Sequence, residues 1–183
     1  MINEFCVPIL LDVEPLTKLY NSYGTNGIIR VPLEDISTEF TDFLLQRNIK
    51  ISFIEVFYNP PFKITPIHVD GLGGDYAKIN FIYGGPKSFM CWYNTDVVKT
   101  EITYTHIKTR SIRYEPNEVT LVHRQTLHSP SIVQVGVPHN IINTARERWC
   151  VSVTLAPVLA EPGEHVTFND AVNLLQDLVH VPI

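Results

Sequence analysis

No apolar run in the chain approaches the ~20 residues that a membrane-spanning helix needs. Charge is also scarce, at 18% of residues, with 14 Lys and Arg against 19 Asp and Glu and a net charge of -5. No Lys/Arg cluster interrupts that acidic balance, so the electrostatic footprint of a nucleic-acid binder is missing. Cysteine is limited to Cys6, Cys91 and Cys150, far apart and without a CxxC pair. That pattern gives no disulfide framework, and predicts free thiols in a reducing compartment, each a small buried residue. The N-terminus has no basic segment ahead of an apolar one, so no secretory signal is expected and the location expected is cytoplasmic. What is present is globular composition: 45% hydrophobic over 183 residues, read as a single domain, 1–183, with a full core.

The first fifty residues read as a mixed preface. Residues 14–23 suit a short helix ended by Gly24, a natural C′ residue. Residues 33–46 suit a longer one, with Ile36, Phe40, Phe43 and Leu44 at helical spacing and Glu34 and Asp35 near its start. From residue 51 the pattern changes to strands: 51–58, 64–70, 76–83, 88–93, 101–108, 119–122, 131–137, 140–144 and 148–155. Gly, Pro and Asn turn signals separate most of them. Short strands at this spacing indicate a β-sandwich or barrel, of which the jelly roll is one. The tail returns to helix: Thr167 caps, with Asp170 three residues on, and Ala171, Val172, Leu174, Leu175, Leu178 and Val179 share a face. Such a helix packs on the sheet or forms a dimer surface.

The stretch that carries chemistry is Pro66-Ile67-His68-Val69-Asp70, followed by the glycine-rich 71–74. In an extended chain His68 and Asp70 point to the same side. An imidazole beside a carboxylate is two thirds of the 2-His-1-carboxylate triad, which holds non-haem Fe(II) on one face and leaves the other open. A second histidine is then required. His165 and His180 belong to the tail, and His106 sits in a polar, solvent-facing pattern. His123 and His128 are five apart and would need the His128-Ser129-Pro130 turn to meet as a second metal pair. His139, opening a strand after Val137-Pro138, is the best placed.

A hairpin formed by 140–144 and 148–155, with its turn between Ala145 and Arg146, pairs Asn143 with Arg148, Ile141 with Cys150 and His139 with Ser152. Paired residues share a face, so Arg148, Cys150 and Ser152 point as His139 does. A buried guanidinium needs an anion, and a carboxylate matches it with two parallel bonds. Arg146 falls in the turn and toward water.

His68-x-Asp70, then His139, then Arg148 resembles the order seen in Fe(II)/2-oxoglutarate-dependent oxygenases. The wording is closest to the aspartyl/asparaginyl-hydroxylase-like group, through Pro66-Ile67-His68-Val69-Asp70, Ala77-Lys78-Ile79-Asn80-Phe81 and Val137-Pro138-His139-Asn140-Ile141-Ile142-Asn143. The likeness covers about 51–157. It implies a double-stranded β-helix (jelly roll, cupin-like), mainly β, with helices flanking it at both ends. It implies Fe(II) on His68, Asp70 and His139, and 2-oxoglutarate chelated there with its far carboxylate on Arg148. Asn80 corresponds to a position facing the cosubstrate. The usual Arg-x-Ser pair is stretched here to Arg148 and Ser152. The activity implied is hydroxylation of an unactivated C–H bond in an amino-acid-like or peptide substrate, with 2-oxoglutarate converted to succinate and CO2. Tyr58 and Trp92 are candidate pocket walls, and 71–74 and 94–100 are candidate lids at its mouth. The chain is expected to act as a monomer or homodimer.

Two other classes fit parts of the pattern. A cupin-like metalloprotein without 2-oxoglutarate needs no inward Arg148. A non-catalytic jelly-roll binding module needs no metal, and Asp70 then only caps the glycine turn.

Overall fold

A computed structural model describes residues 3–71, 73–127 and 130–180. It is mainly β, with twelve strands in two antiparallel sheets and two short α-helices among the described residues. The strands are β1 (Cys6–Pro8), β2 (Ile28–Arg30), β3 (Ile49–Asn59), β4 (Ile67–Asp70), β5 (Ala77–Gly84), β6 (Phe89–Asn94), β7 (Thr103–Tyr104), β8 (Arg110–Tyr114), β9 (Thr120–Thr126), β10 (Ser131–Gln134), β11 (His139–Ile142) and β12 (Arg148–Pro157). One sheet has the order β1-β10-β5-β12-β3-β2, the other β7-β8-β4-β11-β6-β9. Four pairings are nested: β3 with β12, β4 with β11, β5 with β10 and β6 with β9.

The two helices are α1 (Thr38–Leu45) and α2 (Phe168–Leu174). Each begins where an oxygen can satisfy an orphan N–H: Ser37 accepts from Phe40 N, and Thr167 accepts from Asp170 N. Both cover the outer face of the first sheet. Phe40 and Leu44 from α1, and Phe168, Ala171 and Val172 from α2, join Ile54 and Val56 of β3 and Ile79 and Phe81 of β5. Trp149, Val151, Val153 and Leu155 of β12 complete this apolar core. A smaller apolar cluster, with Trp92, Met90, Val133, Val135 and Tyr76, lies toward the β10 and β6 end.

Strand alternation puts the remaining residues of β3, β5 and β12 on the face toward the second sheet. Beside Phe53, Phe57, Ile82 and Cys150, that face carries seven polar residues: Glu55 and Asn59; Lys78 and Asn80; Arg148, Ser152 and Thr154. All seven are buried. The inner face of a sandwich is ordinarily its apolar core. Here the core lies outside the sheet, under the helices, and much of the interior is given to polar groups.

Several local expectations change. Residues 140–155 do not form a hairpin: β11 lies in the second sheet beside β4 and β6, whereas β12 lies in the first between β3 and β5. The connection between them crosses from one sheet to the other. Asn143 fixes that crossing, donating to the carbonyls of Asn59, Pro60 and Arg146 and accepting from the Ser88 hydroxyl. The strand expected over 101–108 is cut to β7, because Lys108 takes φ 63° and the chain turns back into β8. The helix over 33–46 splits into a 3-10 turn, Leu33–Asp35, and α1, divided at the Ser37 cap. The one over 14–23 shrinks to a 3-10 turn, Tyr20–Tyr23, ended by Gly24 at φ 83°. Leu174 turns away from the tail's apolar face and is 38% exposed. No helix among the described residues is long and apolar enough to cross a membrane.

Candidate metal centre

His68 and Asp70 lie on β4, one residue apart and on one face. His139 opens β11 and is paired directly with His68 across the antiparallel ladder. Directly paired side chains share a face, and the two imidazole rings stand 4.6 Å apart, centroid to centroid. One ligand atom from each of His68, Asp70 and His139 lies within 4.8 Å of the other two. The group could hold a metal ion.

The backbone prepares both imidazoles. Nδ1 of His68 lies 2.9 Å from the Pro66 carbonyl, and Nδ1 of His139 lies 2.9 Å from the Val137 carbonyl. A carbonyl only accepts, so each Nδ1 carries the hydrogen. Each Nε2 lone pair is left for an ion, the arrangement that fixes tautomer and ring direction in metal sites. Burial, then the neighbouring His68, pushes His139 down to about 4, against the opposing pull of Asp70 and the Val137 carbonyl. At neutral pH it is a neutral donor. Burial alone would raise the Asp70 carboxyl, but the ammonium of Lys78 and the two histidines outweigh it and hold Asp70 well below the usual carboxylate range.

The three residues line a cavity of about 270 Å³ between the sheets. Arg148, Cys150 and Ser152 of β12 line it with them, as do Asn80, Asn59 and Tyr58. Parity therefore directs Arg148 to the site even though its strand is not the hairpin partner of β11. Arg148 is 3% exposed and forms no ion pair with a carboxylate among the described residues. Burial lowers its pKa, with Cys150 opposing. Ser152 and Asn80 meet as well: the Ser152 hydroxyl donates to Asn80 Oδ1 at 2.7 Å. Ser152 stands four residues from Arg148, roughly 13 Å along the strand, so the two address opposite ends of the cavity. Arg146 is exposed, and its backbone carbonyl accepts from Asn143 Nδ2.

Other sequence candidates fall elsewhere. Trp92 is fully buried in the smaller apolar cluster and donates to the Gln134 carbonyl, so it is not a wall of the cavity. Tyr58 borders the cavity, but its ring turns to the helix-covered core, 4.7 Å from Trp149. His123 stacks on Phe5 and lies 2.8 Å from Asn3 Nδ2, while His128 is outside the described residues. Segment 94–100 is tied to Glu118 through Thr95 and Lys99 and contributes nothing to the cavity lining. Gly73 and Gly74 sit behind Asp70, with Gly74 N donating to the Gly136 carbonyl; Leu72 of that loop is outside the described residues.

Two charged residues behind Asp70 had no role in the sequence reading. Lys78 is 2% exposed, and its Nζ lies 2.7 Å from Asp70 Oδ2. Glu55 is fully buried, with Oε2 3.6 Å from the same Nζ and Oε1 accepting from Arg30 and Thr109. The sequence did carry a signal for Lys78. It is a charged residue inside an apolar strand, two positions before Asn80 and therefore on its face. Glu55 is likewise a lone charge within an apolar run.

Protein-family models and curated proteins offer no match to this chain, so the reading of the site rests on its own geometry and chemistry.

Proposed function

We propose that this protein is an Fe(II)- and 2-oxoglutarate-dependent oxygenase that hydroxylates an amino-acid-like or peptide substrate. The observation that carries the reading is Arg148, a buried guanidinium without a carboxylate partner among the described residues, in the same cavity as the His68, Asp70 and His139 group. Stranding a buried charge costs several kcal/mol, and an anionic ligand entering the cavity offsets that cost. A metalloprotein without cosubstrate leaves Arg148 unexplained, and a binding module without metal leaves the convergence of Asp70 with two histidines unexplained. The nested pairing of β3 to β12 is also what a long hairpin gives when rolled into a double-stranded β-helix, and we read the fold in that way.

The donor set suits Fe(II): two imidazole nitrogens and one carboxylate on one face, with the cavity on the other. Bound Fe(II) and 2-oxoglutarate would supply oxidation of an unactivated C–H bond, with release of succinate and CO2. The chain's own part is to position and to exclude water. His68 and His139 present fixed Nε2 atoms. Arg148 takes the far carboxylate and sets the length and direction of the cosubstrate. The Ser152–Asn80 pair closes the opposite end, and Phe57 forms part of the wall.

The test is anaerobic titration of the protein with Fe(II) and 2-oxoglutarate, followed by visible charge-transfer absorption and by calorimetry with Mn(II) in place of iron. The expected result is one metal and one 2-oxoglutarate per chain. A charge-assisted hydrogen bond contributes ~1.5–3 kcal/mol, so Arg148→Met should weaken 2-oxoglutarate roughly ten- to a few-hundred-fold and leave metal binding nearly unchanged. Arg146→Met should do little. If Arg148→Met binds 2-oxoglutarate as the unaltered protein does, the cosubstrate assignment falls and the metal centre stands alone.

A further inference from the structure

Asp70 has two carboxylate oxygens, and the fold treats them differently. Oδ1 faces the metal group, 3.3 Å from His68 Nε2. Oδ2 is held from the other side by Lys78 Nζ at 2.7 Å. That ammonium is delivered by a strand of the opposite sheet, β5, so its position relative to Asp70 is set by how the two sheets pack. Lys78 is itself backed by Glu55, whose second oxygen is held by Arg30 and Thr109. The result is an alternating row of charges, Arg30, Glu55, Lys78, Asp70, running from the protein surface to the candidate metal centre.

A buried lysine is retained only where its charge is matched, and Glu55 alone would match it. The shorter contact to Asp70 therefore has a second consequence. A carboxylate with both oxygens free can chelate an ion with both and take two of its positions. One whose Oδ2 lone pairs are engaged by an ammonium offers a single oxygen. We propose that Lys78 is a positioning residue that confines Asp70 to one-oxygen coordination through Oδ1, keeping three adjacent positions of the ion open. Three is the number a bidentate keto acid and one further ligand require. This rests on the metal-centre reading above, and it adds a residue to which neither the donor set nor the cosubstrate assignment refers.

The experiment is a count of metal-bound water on Mn(II)-loaded protein, by oxygen-17 electron-nuclear double resonance, in the unaltered protein and in Lys78→Met/Glu55→Gln. The paired change removes the lysine without stranding the glutamate's charge. Three waters are expected in the unaltered protein and two in the variant, because the released Oδ2 joins the ion. Circular dichroism and urea unfolding report whether the variant is folded. Should it not fold, the crystal structure of the Mn(II)-loaded unaltered protein decides the matter: one Asp70 oxygen on the ion with Lys78 on the other supports the proposal, and two-oxygen chelation overturns it. A folded variant that keeps three waters also overturns it, while leaving the metal centre intact. Failure of the unaltered protein to bind Mn(II) or Fe(II) at all is a different result, and it removes the metal centre itself.

Discussion

At the scale of single residues, the site is prepared by groups that are not ligands. The Pro66 and Val137 carbonyls choose the tautomers of His68 and His139, and Lys78 sets the charge state of Asp70. His139 gives a direct test. An imidazole in the unfolded chain titrates near 6.5, whereas burial and the adjacent His68 bring this one to about 4. Between those values the unfolded chain binds more protons than the folded one, so stability rises with pH there. The contribution is whole above pH 6.5 and is lost as pH falls through 4, on the order of 3 kcal/mol. Urea unfolding of metal-free protein between pH 4 and pH 8 should show that loss, and His139→Gln should flatten it. Equal pH dependence in the two proteins would mean that another group carries the effect. Asp70, held far lower, acts below this window.

At the scale of elements, the connections that bring Arg148 to the cavity are as exacting as the strands. Gly85 has φ 53°, and a Cβ there would lie 2.5 Å from the Cβ of Arg148. Gly85→Ala should therefore lower stability by roughly 1–3 kcal/mol and weaken 2-oxoglutarate binding together, since strain and overpacking act on the same residue. Gly24, also at positive φ but with open space around it, is the control: Gly24→Ala should cost ~1–2 kcal/mol and leave the ligand unaffected. Asn143→Ala removes the clamp between β11 and β12. It removes the amide's bonds to the carbonyls of Asn59, Pro60 and Arg146, of which Pro60 keeps the Lys63 N–H, for an expected loss of ~2–3 kcal/mol in urea unfolding. Most strands were legible in the sequence, because β-rich runs end at glycine, proline and asparagine. His68, Asp70, His139 and Arg148 were legible for a related reason: parity along a strand is a local property. The sheet to which each strand belongs was not, because pairing depends on distant segments. The sequence reading thus assigned β12 the wrong neighbour and still turned Arg148 inward. Strand β8 was missed because its residues, Arg110-Ser111-Ile112-Arg113-Tyr114, gain their order from lying beside β4. Lys78 escaped notice because its partners Asp70 and Glu55 come from two other strands.

At the scale of the whole molecule, no short segment holds all three candidate ligands: His68 and Asp70 come from β4 and His139 from β11. An unfolded chain therefore has little to offer an ion, and metal binding should convert almost fully into stability. With Mn(II) and 2-oxoglutarate each at a hundred times its dissociation constant, each contributes ~2.7 kcal/mol. For a protein of this size that is a rise of about 5–10 °C in the melting temperature per ligand. Calorimetry should show the two increments in sequence, a chelator should reverse both, and at fixed ligand concentration Arg148→Met should lose only the second. Strand β12 has a further consequence. Its apolar residues close the core under α1 and α2, and its polar residues, alternating with them, line the cavity. A one-residue slip of the strand in its register would exchange the two sets, sending Trp149 and Val151 into the cavity and Arg148 and Ser152 under the helices. The ancestry of this site is thus constrained in form. New chemistry can arise by exchanging side chains at 148, 150 and 152, but not by a one-residue slip of the strand that carries them.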